Sequence, residues 1–247
     1  MVSIYISLAV LSLLSVVQTA PLSSCESLIQ PLAIQGPEQL LGKWMRVALS
    51  SNYENTELIT KTFQDSYWMR LSADNESDAI DLMGVVKTFG VCLTQTAKMN
   101  LVNNTLQPII NETLKPGSPG PLLVSVSINL LKTGCSDCLL FLTRNHLVGH
   151  TIEILFLMSK RQTVTAAELE ELKKQAECLN LPEPFSLDFE RGICPDPQSP
   201  EADVIDMTQL LNADKSEQQN IAEKIFDGAG GFDNYVKMAT DILLKKD

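Results

Sequence analysis

The stretch Gln39-Leu40-Leu41-Gly42-Lys43-Trp44-Met45-Arg46-Val47-Ala48, QLLGKWMRVA, opens the patterned part of the chain. It carries one of the 2 tryptophans in 247 residues, two places after a glycine. From Lys43 onward, apolar and polar residues alternate in short runs, as they do in half-buried β-strands. The stretch therefore predicts the first strand of a mainly β domain.

Eight such runs follow one another along the chain, at 43–50, 61–72, 79–87, 90–101, 105–110, 121–131, 137–144 and 150–159. The breaks between them contain Asn, Asp, Gly and Pro, which favour turns. Sequential strands with short connections favour an eight-stranded antiparallel up-and-down β-barrel. A β-sandwich is the alternative that strand counting leaves open.

One helix is predicted after the last of these strands. Thr165 and Glu168 have the spacing of a capping box, and apolar residues then recur at helical spacing as far as Leu179. Pro182 ends this pattern, and a short strand is expected at 185–189. Because the run 150–159 is apolar on both faces, we expect the helix to cover its outer side.

The two ends of the chain differ from this domain. Residues 1–20 are apolar and end in small side chains, which is typical of a secretory signal peptide, with an uncleaved membrane anchor as the alternative. Residues 21–197 form the predicted domain, and residues 198–247 form an acidic tail predicted to be partly helical. The sequence favours a mobile tail over a segment that binds a partner or caps a pocket.

Composition restricts the compartment and the partners. The 6 cysteines indicate disulfides in a secreted protein, and a net charge of −11 argues against nucleic acid. No segment beyond the N-terminal run is apolar enough for stable membrane insertion. The chain has 2 histidines and no catalytic or nucleotide motif, so we expect no metal, no cofactor and no catalytic residue. We expect the protein to be a monomer.

Glycosylation sequons begin at Asn75, Asn103 and Asn111, in predicted turns.

Gly42 and Trp44, with this order of elements, resemble the lipocalin family, whose pattern is G-x-W in strand one, an eight-stranded calyx and a basic residue before a flanking helix. The chain is most similar to the branch of α1-acid glycoprotein (orosomucoid) and the saxitoxin- and tetrodotoxin-binding plasma proteins. The similar stretches are CESLIQPLAIQGPEQLLGKW, GVCLTQT and LKKQAECLNLPEPFSLDFERGICPDP. The resemblance implies that Trp44 fills the closed end of the barrel and that Arg161, or alternatively Lys160, stacks on it.

The same resemblance implies disulfides between Cys25 and Cys178 and between Cys92 and Cys194. Cys135 and Cys138 have no counterpart in that scheme. Their position between two strands favours a local disulfide, with free thiols as the alternative. A thioredoxin-like redox role is not expected, because no helix start or βαβ unit is predicted there.

A barrel of this size has room for one small ligand. Period-two alternation, taken with the resemblance, predicts ligand-binding positions at Arg46, Tyr67, Met69, Leu82, Val86, Met99, Leu106, Leu140, Leu142, Leu155 and Leu157. A mostly apolar lining suits a hydrophobic or amphipathic molecule such as a lipid, steroid, basic drug or toxin, although the same residues could fill a solid core. Arg46 would favour an anionic head group. Asp65 and Glu153 would favour a cationic one if they face the barrel mouth, and the sequence favours the alternative that they are solvated charges at strand ends.

The resemblance implies a secreted plasma carrier, glycosylated and of the acute-phase kind. Two alternatives belong to other classes of protein. One is an immune-modulating glycoprotein that acts through its surface. The other is a lipocalin-type isomerase, which would need a reactive thiol inside the calyx.

Overall fold

The computed structural model describes residues 24–74, 77–88, 91–109, 123–147, 150–197 and 204–206. The barrel strands are β1 Gly42–Ser51, β2 Gln64–Ala73, β3 Ile80–Thr88, β4 Val91–Val102, β5 Thr105–Pro108, β6 Leu123–Leu131, β7 Cys138–Leu147 and β8 His150–Ser159. Two short strands follow, β9 Phe185–Ser186 and β10 Val204–Asp206. The helices are α1 Cys25–Leu28, α2 Thr56–Phe63 and α3 Ala166–Cys178, with a 3-10 turn at Pro37–Gln39.

Strands β1 to β8 form a closed barrel. Each pairs antiparallel with the next along the chain, and β8 pairs with β1, which closes the circle. The predicted up-and-down barrel is confirmed, and the sandwich is excluded. In the two-residue β4–β5 turn, Asn103 and Asn104 both have positive φ, a conformation that asparagine tolerates well.

The two short strands lie outside this circle. β9 pairs with β1 at Ala48 and Leu49. Of β4, only the last part, Met99–Val102, pairs with β5. The earlier part of β4, at Thr94–Thr96, pairs in parallel with β10. A piece of the predicted tail therefore adds to the barrel wall where β5 does not reach.

Helix α3 begins where the capping box predicts. The Glu168 backbone N–H donates to the Thr165 hydroxyl, and the Thr165 N–H donates to the Glu168 carboxylate at 2.6 Å. These two bonds satisfy amides that the first helical turn leaves without partners. Leu172 and Ala176 are buried on the face of α3 that packs against the barrel.

Helix α2 was not predicted, since the alternating pattern placed a strand at 61–72. The strand begins at Gln64 because Thr56–Phe63 are helical. The guanidinium of Arg191 donates to the carbonyl oxygens of Lys61 and Gln64, which supports the end of the helix. Lys61 also forms an ion pair with Glu57, one helical turn back.

Buried side chains form two clusters, one on each side of the barrel wall. The inner cluster takes residues from all eight barrel strands, which only the interior allows; it contains Trp44, Met69, Leu71, Ile80, Met99, Leu106, Leu130, Leu139, Phe141 and Met158. The outer cluster joins the barrel wall to α3 and to the chain that follows it; it includes Met45, Val47, Trp68, Leu140, Leu142, Leu155, Leu157, Leu172, Ala176 and Cys194.

The interior placement predicted for Leu140, Leu142, Leu155 and Leu157 is therefore wrong. Their strands β7 and β8 are apolar on both faces, because the barrel interior covers one face and α3 covers the other. Alternation of apolar and polar residues cannot orient such a strand. The neighbours Phe141 and Phe156 face inward instead, with ring centroids 5.2 Å apart.

All six cysteines form disulfides, with the three pairings that were predicted. Cys25–Cys178 ties α1 to the end of α3. Cys92–Cys194 ties β4 to the segment that covers the outside of the barrel. Cys135–Cys138 closes the turn between β6 and β7.

Several predictions fall outside the described residues: the signal peptide at 1–20, the sequon asparagines Asn75 and Asn111, and the tail apart from β10. Asn103 lies exposed in the β4–β5 turn, and its glycosylation stays a prediction. Within the described part of the chain, no helix has the length and apolar character needed to cross a membrane.

Candidate ligand site in the barrel interior

Trp44 lies buried at one end of the barrel, which we call the closed end. Its indole N–H donates to the Leu40 carbonyl oxygen at 2.8 Å. This hydrogen bond holds the end of the 3-10 turn, just before β1, against the Trp44 side chain. Gly42 has φ +119°, a conformation that side chains with a Cβ rarely adopt. The glycine of the G-x-W pattern thus provides the bend that brings the chain into β1.

Lys160 lies over Trp44, with its Nζ 4.9 Å from the ring centroid. The placement of Arg161 at this position is wrong. Arg161 points to the other side, where it donates to Asp137 at 2.7 Å and to Glu168 at 2.8 Å. The two residues lie in the bend after β8 and point in different directions, so only Lys160 reaches the ring.

The barrel interior divides into a packed half and a partly uncovered half. Near Trp44 most inward side chains are fully buried; for example, Leu106 is 0% exposed and Leu130 is 1% exposed. Farther from Trp44, several inward residues keep uncovered surface; they are Arg46, Tyr67, Val86, Leu93, Gln95, Ile128, Ile154 and Phe156. The closed end is therefore mostly solid core, and the inward side chains of the far half, the upper interior, are covered less completely.

Arg46 and Tyr67 mark the boundary between these halves. The guanidinium carbon lies 4.6 Å from the centroid of the Tyr67 ring, a cation–π contact. Both side chains are surrounded by protein, although part of the surface of each is uncovered. That uncovered surface therefore faces the inside of the barrel.

The polar group at this level includes Gln95, whose side-chain amide is hydrogen-bonded to the Tyr67 hydroxyl. Gly84 makes room for the pair, since a Cβ there would lie 2.8 Å from both the Gln95 Nε2 and the Tyr67 hydroxyl. Burial raises the pKa of Tyr67, against the opposing effects of Arg46 and Gln95, so the phenol keeps its proton at neutral pH. Burial also lowers the pKa of Arg46, but a guanidinium stays charged in proteins.

The two acids predicted at the barrel mouth are held in ion pairs. Asp65 lies 2.9 Å from a guanidinium nitrogen of Arg191, which comes from the chain outside the barrel. Glu153 lies 2.6 Å from Arg144 on the neighbouring strand. Arg144 and Glu153 are paired across β7 and β8 between inward-facing neighbours, so both point outward. These acids therefore do not present free negative charge to the interior.

The predicted ligand positions divide by strand. Those on β1 to β5 face inward. Arg46, Tyr67 and Val86 lie at the uncovered half, and Met69, Leu82, Met99 and Leu106 lie in or against the solid core. The four leucines of β7 and β8 lie outside, as described above. The alternation of apolar and polar residues did not predict the following inward-facing residues: Leu93, Gln95, Ile128, Phe141, Ile154 and Phe156. The charged residues Arg144 and Glu153 could have shown which face of β7 and β8 points outward. Arg144 lies on the same face of its strand as Leu140 and Leu142, and Glu153 lies on the same face as Leu155 and Leu157.

One group of side chains has the proximity of a metal site. Ligand atoms of Cys135, Asp137, Cys138 and Glu168 all lie within 4.8 Å of one another. The two sulfurs are bonded to each other, and Arg161 neutralises both carboxylates. With the disulfide formed, this cluster is an ion-paired junction between the β6–β7 turn and α3.

A closed eight-stranded barrel with a solid end and a partly uncovered end is a small-molecule binding architecture. Solved structures of lipocalins have the same fold. Rat epididymal lipocalin 12 aligns with a TM-score of 0.53 at 11% identity, over 70% of this chain and 94% of that one. An odorant-binding protein aligns at 0.50 and 19% identity, over 67% and 99%. A siderocalin described as having a dual ligand binding mode aligns at 0.50 and 18% identity, over 66% and 97%.

These likenesses establish the lipocalin fold. No protein-family model matches the sequence, and no curated protein matches it.

Proposed function

We propose that this protein is a secreted carrier that holds one small hydrophobic or amphipathic ligand in the upper interior of its barrel. The observation that carries the proposal is the change in burial along the barrel, from solid core at Trp44 to uncovered inward side chains at Val86 and Phe156. A barrel that served only as a scaffold would be packed throughout. Lipocalin-fold proteins named for odorant binding or dual ligand binding support the same function.

Secretion is supported by the three disulfides, which persist in oxidising compartments. An isomerase of the lipocalin type is disfavoured, because every cysteine is in a disulfide and no thiol remains as a nucleophile. We place the protein with the α1-acid glycoprotein and toxin-binding branch on its sequence resemblance alone. A surface-acting, immune-modulating role is the second candidate, resting on the same resemblance and on the exposed sequon at Asn103.

Native mass spectrometry of protein secreted from animal cells tests the carrier function. We expect a stoichiometric small molecule that dissociates on activation and can be extracted and identified. A matched pair of variants locates it: Val86→Trp places a large ring in the upper interior, and Lys87→Trp places one on the outside of the same strand.

Val86→Trp should weaken ligand uptake by about tenfold or more, equivalent to 1.4 kcal/mol, because the ring occupies the ligand volume. Lys87→Trp should retain uptake. Equal uptake by both variants, or a ligand-free protein that takes up no lipid, steroid or amine, would contradict a ligand site in the barrel.

A further inference from the structure

Arg46 is a partly buried cation that the described residues leave without a counter-charge. It forms no ion pair with any described residue, and its Nε is buried without a hydrogen-bond partner. Among the described side chains on the inner face of the barrel, Arg46 alone carries a formal charge. Burying a charge in this way is unfavourable unless something pairs with it.

The protein around Arg46 compensates only part of this cost. The Tyr67 face attracts the guanidinium, but it supplies no negative charge and accepts none of its N–H bonds. The two acids considered for the barrel mouth, Asp65 and Glu153, are paired with Arg191 and Arg144. The described residues thus supply no negative charge to Arg46, which leaves this place to an anion brought by a ligand.

The groups beside Arg46 are arranged as donors toward the same space. The Gln95 side chain is hydrogen-bonded to the Tyr67 hydroxyl, and a phenolic hydroxyl can donate one hydrogen bond while it accepts another. A guanidinium fork and a phenolic O–H together suit an oxyanion, because charge-assisted hydrogen bonds to planar or tetrahedral oxyanions are strong. By lacking a Cβ, Gly84 leaves room for the Gln95 and Tyr67 side chains to meet.

Above this polar level, the lining is mostly apolar, with Thr143 and Thr88 as polar members. Val86 and Leu93 face each other across β3 and β4, and Phe156 and Ile154 lie on the opposite wall. Below it, Met69 and Met158 belong to the solid core. A bound molecule must therefore place its polar end at Arg46 and extend an apolar part toward the open end.

We propose that Arg46, Tyr67 and Gln95 form a head-group site for an amphiphile with a single oxyanion, a carboxylate or a phosphate monoester. The inference rests on the proposed carrier function and names its ligand class. It also resolves the conflict in the sequence between anionic and cationic ligands, in favour of the anion.

Calorimetric titration of the full chain with dodecanoate, dodecyl phosphate, dodecanol and dodecylamine tests this site. We expect at least one of the two anions to bind about tenfold tighter than the alcohol, and the amine to bind most weakly. The anion that binds tighter identifies the head group.

Arg46→Met should abolish the preference for the anion and leave dodecanol binding within about twofold. The matched control is Arg144→Met, which removes a cation from the outer face of the wall and should leave the preference intact. Tyr67→Phe, which retains the ring under the guanidinium, should weaken anion binding by about fivefold. This variant keeps the test valid if Arg46→Met does not fold.

The failures of the two proposals can be told apart. If the alcohol binds as tightly as both anions and Arg46→Met changes nothing, the head-group site is wrong and the carrier function stands. Tighter binding of the amine would lead to the same conclusion. If none of the four probes binds and no ligand is found in the secreted protein, the carrier function itself fails.

Discussion

Arg161 joins two carboxylates that belong to different parts of the fold. Its hydrogen bonds hold the pKa of Asp137 below its ordinary value. The pKa of Glu168 is also lowered, chiefly by the backbone N–H of Thr165 and then by Arg161. The reciprocal effect raises the pKa of Arg161, first through Asp137 and then through Glu168. Two adjacent cations thus have separate structural roles, Lys160 at Trp44 and Arg161 at the α3 junction.

A pH dependence of stability follows from these shifts. Because both carboxyl pKa values are lower in the folded state, the unfolded state binds more protons as the solution is acidified. The ion-paired junction therefore contributes fully above the ordinary carboxyl range and is lost as the pH falls below about 4. Arg161→Met should lower the urea midpoint at pH 7, and its difference from the unmodified protein should shrink toward pH 3.

Urea unfolding at pH 7, 5 and 3 measures this difference. Lys132→Met is the charge-matched control, since Lys132 is exposed just after β6. A constant difference between Arg161→Met and the unmodified protein across the range would show that the two carboxylates do not depend on Arg161.

The elements of the barrel were predictable wherever a local rule fixed them. The capping box placed α3, and strands with one polar face, such as β2, were oriented correctly by Tyr67, Met69 and Leu71. α2 was not predictable, because contacts from Arg191 far along the chain stabilise its end. β7 and β8 could not be oriented by apolar residues, since both of their faces are buried. As a result, the sequence located Arg46 and Tyr67 in the candidate site but missed its far wall.

A pair of neighbouring residues on β8 tests the orientation of that strand. Leu155 lies in the outer cluster at 0% exposure, so Leu155→Ala should cost about 2–5 kcal/mol of stability and leave dodecanoate affinity unchanged. Phe156 faces the upper interior, so Phe156→Ala should weaken dodecanoate binding severalfold as apolar contact is lost. Denaturant unfolding and calorimetry on both variants supply the two quantities. A larger loss of affinity in Leu155→Ala than in Phe156→Ala would reverse the assignment of the faces.

Across the whole molecule, a thin barrel wall is stabilised from both sides. The inner cluster cannot fill the upper interior if that space holds a ligand, so much of the stability must come from outside the wall. The outer cluster under α3 supplies part of it. The segment around Cys194 supplies more, because the Trp68 indole N–H donates to the Cys194 carbonyl oxygen at 2.9 Å and Asp196 forms ion pairs with Lys43 and Arg70.

The disulfide from Cys92 to Cys194 keeps this covering segment on the barrel. It links residues 102 apart in sequence, and the chain-entropy model gives about 4–5 kcal/mol for closing such a loop. Cys135 and Cys138 are only 3 apart, for which the same model gives about 2 kcal/mol. Replacing Cys92 and Cys194 together by alanine should therefore destabilise the protein about twice as much as replacing Cys135 and Cys138. Denaturant unfolding of the two double variants under oxidising conditions compares them directly, and equal losses would mean that the short bridge stabilises through the Arg161 junction rather than through loop closure.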